Sequence, residues 1–391
     1  MSGPGNGPLQ GVRVVEFCQV AAGPFCGMLL ADMGADVVKV ESPDGDGMRA
    51  WPPHREGYSE NFASVNRNKR SVVLDLKQPS GAEAARRLIR SADVLVENSR
   101  PGVMDRLGLG FAAMHALHPA LLYCSISAFG QTGPRRTEGG FDLTIQAMGG
   151  VMSVTGEPNG VPVKCGVPIS DFSTGLYAAF AVASLLHETR ATGTGRHIDM
   201  SMLGATLGVG ALQTSEFFGN GRNPRPLGSA HPRNAPYQAF RAGDGHFVMA
   251  AGNNRLWQAA CRVLGCEELA QDPRFASTAL RAANQAALCA ALQPYLDRQE
   301  VEPLLSALAA AGVPSGRING YAEALADPQV AHMGWVQELE LPGGGTTRSF
   351  GSPVVVDGHS APIRRPPPAL GEHTAEVLAE IGILQEDMDF A

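Results

Sequence analysis

Asp171 is the only charged residue in GVPISDFSTG (166–175), and an uncharged run from Gly175 to Leu186 follows it. A carboxylate held partly desolvated against an activated acyl carbon can attack it as a nucleophile. A helix N-terminus would keep that carboxylate ionised through its dipole and orphan N–H groups. An aspartate ahead of a helix is also a good N-cap, and on spacing alone the cap is the simpler role. Arg106 in NSRPGVMDRLG (98–108) offers a second chemistry. A guanidinium donates two parallel hydrogen bonds and suits phosphate. Alone it reads as a solvated arginine pairing with an acid such as Asp105. Its neighbours Asn98–Arg100 end a predicted strand, and ligands gather at strand carboxyl ends in open α/β sheets.

The elements that must position these residues follow from the pattern. GVRVVEFCQVAAGPFCGMLLADMGADVVKVE (11–41) reads β-α-β, with strands at Val12–Phe17 and Val37–Val40 and a helix opened by Gly23-Pro24 and ended by Gly34. Further strands are expected within 69–77, 81–98 and 118–130, and another in TGRHIDMSML, leading into a helix. Strands alternating with helices argue a parallel, doubly wound sheet. The Gly/Pro-rich stretch FFGNGRNPRPLGSAHPRNAP (217–236) reads as a linker, and Gly-Asp-Gly between two apolar runs as a hairpin. These features give a large domain over 1–210, a smaller α+β domain over 225–325, and a C-terminal segment, 326–391, with short strands and a final helix.

Glu41 ends the second strand where an acid could hold a ribose, but the turn Cys18-Gln19-Val20-Ala21-Ala22-Gly23-Pro24 lacks GxGxxG, which argues against NAD or FAD. No GxxxxGK[ST], GxSxG or HExxH is present. The net charge of −7 with dispersed basic residues argues against a nucleic-acid partner. Seven scattered cysteines without a CxxC pair fit free thiols in a reducing cytosol rather than disulfides or a metal site. No uninterrupted apolar run reaches the ~18 residues of a membrane span. The start, MSGPGNGP, has no signal-peptide pattern. The expectation is a soluble cytoplasmic protein.

Six ordered stretches together carry a resemblance: AGPFCGMLLADMGADVVKVE, NRNKRSVVLDLK, ADVLVENSRPGVMDRLGLG, YCSISAFGQTGP, SDFSTGLYAAFAVASLLHETRATGTGRHIDMSM and PPPALGEHT. In this order, over about residues 9–385, the chain resembles the family III CoA-transferases (the CaiB/BaiF type). SAHPRNAPYQAFRAGDGHFVMAAGNN further resembles the branch acting on dicarboxylates such as glutarate and itaconate. The resemblance implies a Rossmann-like large domain built from both chain ends, a small domain, and an interlocked homodimer. It places the nucleophilic aspartate at Asp171. It implies coenzyme A contacts at Leu74, Asp75, Leu76, Lys77, Asn98, Ser99, Arg100, Arg106, Gly139, Gly140, Phe141 and Asp142. Acyl-CoA and small carboxylic acids are the implied substrates, with neither metal nor NAD.

Some positions depart from the family pattern. Ser42 stands where several relatives carry a CoA-binding arginine. Gln19 and Ala21 replace a His and a Gln near the active site of formyl-CoA transferases, which argues against formate and oxalate. Phe141 occupies the place of the racemases' catalytic histidine and cannot carry protons. The expected activity is CoA transfer from an acyl-CoA, such as succinyl-CoA, to a dicarboxylate through an aspartyl-CoA thioester. The alternatives are a racemase-like isomerase and a non-catalytic acyl-CoA-binding protein. For a distal carboxylate, His231, Arg233 and Asn234 in GSAHPRNAP (228–236) supply suitable donors, with Gln19 and Arg49 next.

Overall fold

The structure is a computed structural model that describes residues 7–384. The outermost ends of the expected first domain and of the C-terminal segment lie outside the described residues. The chain divides into two compact units: residues up to Val151, Lys164–Gly221 and from Pro328 onward form the first, and Met152–Val163 with Arg222–Asp327 form the second.

Six strands make the central sheet of the first unit: β1 (Arg13–Phe17), β2 (Asp36–Glu41), β3 (Lys69–Val73), β4 (Val94–Glu97), β5 (Leu122–Ser127) and β6 (His197–Ser201). All neighbours pair in parallel, in the order β3-β2-β1-β4-β5-β6. This is the order of doubly wound dinucleotide folds, whose direction of winding reverses between β1 and β4 and opens a crevice there. Their Val, Ile and Leu side chains fill two cores. One holds Val15, Val38, Val72 and Leu95 with Leu88 and Ile89; the other holds Val14, Val37, Val96 and Ile126 with Leu30 and Val182. A parallel sheet covered on both faces requires such nearly continuous apolar strands.

The helices that bear on the site are α1 (Ala22–Asp32), α2 (Glu60–Asn66), α3 (Pro79–Arg90), α4 (Val103–Arg106), α5 (Asp142–Met148) and α6 (Ile169–Thr192). By length and apolar content α6 could cross a bilayer, although no single apolar run in it is that long. In the structure its Ala178, Ala179, Val182 and Leu186 belong to the core beneath the sheet. At Gly175 it lies against α1 so closely that a Cβ would meet the Ala22 carbonyl oxygen at 2.7 Å.

The residues after Arg364 return to the edge strand β3. The His373 N–H donates to the Ser71 carbonyl at 2.9 Å, and the Asn68 N–H to the Arg365 carbonyl at 3.0 Å. The Val73 N–H donates to the Thr374 hydroxyl at 3.1 Å.

The second unit holds an antiparallel sheet of β7 (Tyr237–Arg241), β8 (His246–Ala250) and β9 (Ser315–Arg317), in the order β9-β8-β7. Its core gathers Phe240, Phe247, Trp257, Phe275, Leu292 and Leu304. All seven cysteines are free.

Candidate active site

Carboxyl ends of strands carry the residues of a cavity of about 830 Å3 in the first unit. Phe17 ends β1, Val40 and Glu41 end β2, Leu74 to Lys77 follow β3, Asn98 to Arg100 follow β4, and Ile126 and Ser127 end β5. The cavity therefore lies at the point where the sheet reverses its winding. Gln19, Ala21, Gly139, Gly140, Phe141 and Asp171 also line it. Thirteen of the residues expected from the sequence to bind CoA or substrate or to act in catalysis thus meet in one place, with Glu41 and Ser42 beside them.

Asp171 is the third residue of α6, not its cap. The N-cap is Pro168, which has no capping side chain. The missing cap comes from 28 residues earlier: the Asp142 carboxylate accepts the Ser170 N–H at 3.0 Å. Its other oxygen accepts from Gln146 Nε2 at 2.6 Å, and Gln146 in turn accepts the Cys165 N–H at 2.8 Å. The buried Ser170 hydroxyl accepts from Thr206 at 2.9 Å. The start of α6 is therefore fixed by bonds that leave the Asp171 carboxyl uncommitted. Burial, reinforced by the charge of Asp142, pushes that carboxyl from an ordinary 3.8 to about 7.

Asp142 itself does not line the cavity, because its carboxylate is turned to α6. Arg106 also lies outside the lining, exposed at the end of α4. Arg100 is in the lining, flat against Gly139, where a Cβ would sit 2.9 Å from its guanidinium. Asn98 clamps the turn after β1: its Oδ1 accepts the Gln19 N–H at 3.0 Å, and its Nδ2 donates to the Gln19 carbonyl at 2.8 Å.

His231, Arg233 and Asn234 belong to the second unit. There the His231 Nδ1 accepts the N–H groups of Arg233 and Asn234, both at 3.1 Å. Arg49, named next for a distal carboxylate, has its fork on Glu41 and Pro368 and stacks 3.8 Å over the Phe62 ring. The Glu41 carboxylate also accepts the Ser71 hydroxyl and the Asp46 N–H, so it is filled by the protein rather than open to a ribose.

Sequence reading missed three charged side chains, Glu16, Lys39 and Lys69, buried beneath the 18–24 turn. Their signal was available: Glu16 and Lys39 each interrupt a β-branched strand run and Lys69 opens a strand, and a buried charge there needs a reason. Glu97 was missed as well. Burial lifts its carboxyl to about 7, against bonds from the Ser125 hydroxyl and the Ser99 N–H.

The family model for CoA-transferase family III matches residues 9–374. The chain belongs to CoA-transferase family III. A succinate–glutarate CoA-transferase of Agrobacterium fabrum is 41% identical over 387 residues, covering 97% of this chain and 96% of that protein. An acetyl-CoA:oxalate CoA-transferase of Acetobacter aceti is 39% identical over 378 residues, covering 96% of each chain. A CaiB/BaiF family protein from Brucella suis, solved by crystallography, superposes with a TM-score of 0.86 at 41% identity, covering 96% of this chain and 100% of that one. The protein is therefore a transferase of the family III CoA-transferase type, and CoA thioesters are its substrates.

Proposed function

We propose that the protein transfers CoA from succinyl-CoA to a dicarboxylate such as glutarate, with Asp171 as the acyl carrier. The observation that carries this reading is the Asp171 carboxyl: uncommitted, partly desolvated, on the first turn of α6, and in the wall of the cavity at the sheet's reversal point. An Asp171 carboxylate oxygen attacks the donor thioester carbonyl, the C–S bond breaks, and CoA leaves as thiolate, giving a mixed anhydride. The thiolate attacks the Asp171 carbonyl and expels the donor acid as its carboxylate, leaving an aspartyl-CoA thioester. The acceptor carboxylate attacks that thioester and releases the thiolate again. The thiolate then attacks the acceptor acyl carbon, forming the new acyl-CoA and restoring the Asp171 carboxylate. Thioester energy is conserved throughout, so no ATP enters. The first turn of α1 has no side-chain cap, and Ala21 and Ala22 line the same cavity. Amides of this kind stabilise the oxyanion that each tetrahedral state develops.

We propose that Leu74–Lys77 receive the adenine end of CoA, that Asn98–Arg100 line its phosphates and pantetheine, and that Gly139–Phe141 supply further CoA contacts. Arg233 and His231 are proposed for the acceptor's distal carboxylate on chemical grounds. Itaconate belongs in the acceptor panel beside glutarate on the sequence resemblance alone, and oxalate joins it, against the expectation from Gln19 and Ala21, because a similar protein is named for oxalate. We infer an interlocked homodimer; exposed Leu176, Tyr177 and Phe180 on α6, with Leu212 and Phe218, supply apolar surface for a second copy.

The deciding experiment incubates succinyl-CoA with each acceptor and reads acyl-CoA products by mass spectrometry, with hydroxylamine added to trap an activated carboxyl. Transfer with a hydroxamate at Asp171 is the expected result. Rapid α-deuteration of a 2-methylacyl-CoA in deuterated water without transfer would establish the racemase-like alternative. Binding without turnover would leave an acyl-CoA-binding protein.

A further inference from the structure

The 18–24 turn stands where doubly wound proteins place paired glycines, yet its tight point is Val20, held at φ +67°. A β-branched residue in the left-handed region is a conformational outlier and persists only where its surroundings impose it. Here the surroundings are four fully buried charged side chains, Glu16, Lys39, Asp46 and Lys69. Glu16 and Lys39 sit directly opposite each other on β1 and β2, with Nζ to Oε1 at 3.4 Å. Lys39 Nζ also meets Asp46 at 2.9 Å and donates to the Cys18 carbonyl at 2.7 Å. The two Asp46 oxygens accept the Val20 N–H at 3.1 and 3.3 Å. On the far side Lys69 Nζ bonds Glu16 at 2.8 and 3.0 Å and the Pro24 carbonyl at 2.8 Å.

The turn is thus held at its entry (Cys18), its strained centre (Val20) and its exit (Pro24) by one group of two ammoniums and two carboxylates. Asn98 holds Gln19 from the opposite side. A buried ionic group of this kind contributes little net stability compared with a well-packed apolar replacement, so stability is a poor reason for it. Lys39, Asp46 and Lys69 each bond the backbone of the segment that brings Gln19, Val20, Ala21 and Ala22 to the Asp171 cavity, while Asp46 also accepts the Met48 N–H at 3.0 Å and Lys69 bonds Asn66 at 2.9 Å.

We propose that Lys39 and Asp46 are positioning residues for the transfer chemistry, a buried charge lock that fixes the glycine-poor 18–24 turn against the cavity of Asp171. The inference rests on the transferase reading above. It does not assign either residue a contact with substrate.

The test uses the full-length protein and four variants: Asp46→Ala, Asp46→Asn, Val20→Gly, and Asp46→Ala combined with Val20→Gly. Each is read by kcat and KM for acyl-CoA, by Tm, and by hydrogen exchange of the peptide over residues 17–25. Loss of the lock should lower kcat in Asp46→Ala by about 10–100-fold, the scale of a small misplacement of reacting groups, with KM changed far less. Asp46→Asn keeps an acceptor for the Val20 N–H but loses the charge facing Lys39, and should fall between. Glycine adopts φ +67° without being held, so Val20→Gly should restore at least about tenfold of the kcat lost in Asp46→Ala. A merely structural Asp46 would not be rescued in kcat by a glycine at position 20. Fast exchange over 17–25 should accompany the kcat loss. Wild-type kcat and exchange in folded Asp46→Ala would overturn the proposal, as would a folded double variant no faster than the single one. If Asp46→Ala fails to fold, Asp46→Asn with and without Val20→Gly gives the same comparison. An inactive wild type would sink the transferase reading, whereas the exchange data would still decide whether the lock exists.

Discussion

As the proposed acyl carrier, Asp171 would attack only as a carboxylate, so its titration is expected to set the low-pH limb of the reaction. Burial first and Asp142 second hold the carboxyl at about 7. For the free enzyme, kcat/KM for acyl-CoA should rise with pH through about 7 and then level off. Glu97 titrates in the same range, so the limb needs assigning. Asp142→Asn keeps the acceptor for the Ser170 N–H while deleting the charge, and should move the limb to lower pH. Glu97→Gln should leave it in place. Asp171→Ala should abolish transfer while the protein stays folded, because Asp171 caps nothing; turnover near wild type would remove it from the chemistry. The stability sign is the reverse of a paired aspartate. Folding raises this pKa from 3.8 to about 7, so the folded protein keeps a proton that the unfolded chain releases between those values. Asp171 costs nothing well below that window, costs more as pH rises through it, and a constant amount above. Asp171→Asn should therefore raise Tm at pH 8 and leave it nearly unchanged near pH 3, by scanning fluorimetry.

Close approach of α1 to its neighbours makes two of its glycine contacts structural. A Cβ at Gly27 would lie 1.8 Å from Glu16 Oε2, and one at Gly175 would press on Ala22 and Phe25. Gly to Ala inside an exposed helix normally stabilises. Gly27→Ala should instead cost about 1–3 kcal/mol as an overpacked contact, read from urea unfolding. The strands were legible from their β-branched runs: Val12–Phe17 was expected where β1 runs Arg13–Phe17, and Val37–Val40 where β2 runs Asp36–Glu41. The start of α6 was not. Local spacing made Asp171 a plausible cap, but the capping oxygen belongs to Asp142, on another helix. Such a partner is set by tertiary packing and leaves no local signal. The gathering of Leu74–Lys77, Asn98–Arg100 and Gly139–Phe141 around one cavity was legible through the family motifs; the lock below Val20 was not, because Glu16, Lys39 and Lys69 show only as single charges in separate strands and Asp46 as a loop residue.

For the whole molecule, subunits interlocked as proposed cannot separate without unfolding. Dilution to nanomolar concentration should leave a dimer mass by light scattering or mass photometry, and a monomer would break the analogy at this level. The return of the chain end to β3 has a different bearing. β3 is the edge of a six-stranded parallel sheet, and residues 365–374 cover its Asn68–Val73 stretch. Arg70 adds ion pairs to Glu376 and Glu380 beyond them. During synthesis on the ribosome β3 emerges some three hundred residues before its cover, counting from Val73 to Thr374. Until then the nascent chain carries an open strand edge, the kind of surface that pairs with other chains. The protein should therefore lean on chaperones until its final stretch is translated, and a stop codon just after Ile363 should yield aggregates where the complete chain yields soluble enzyme.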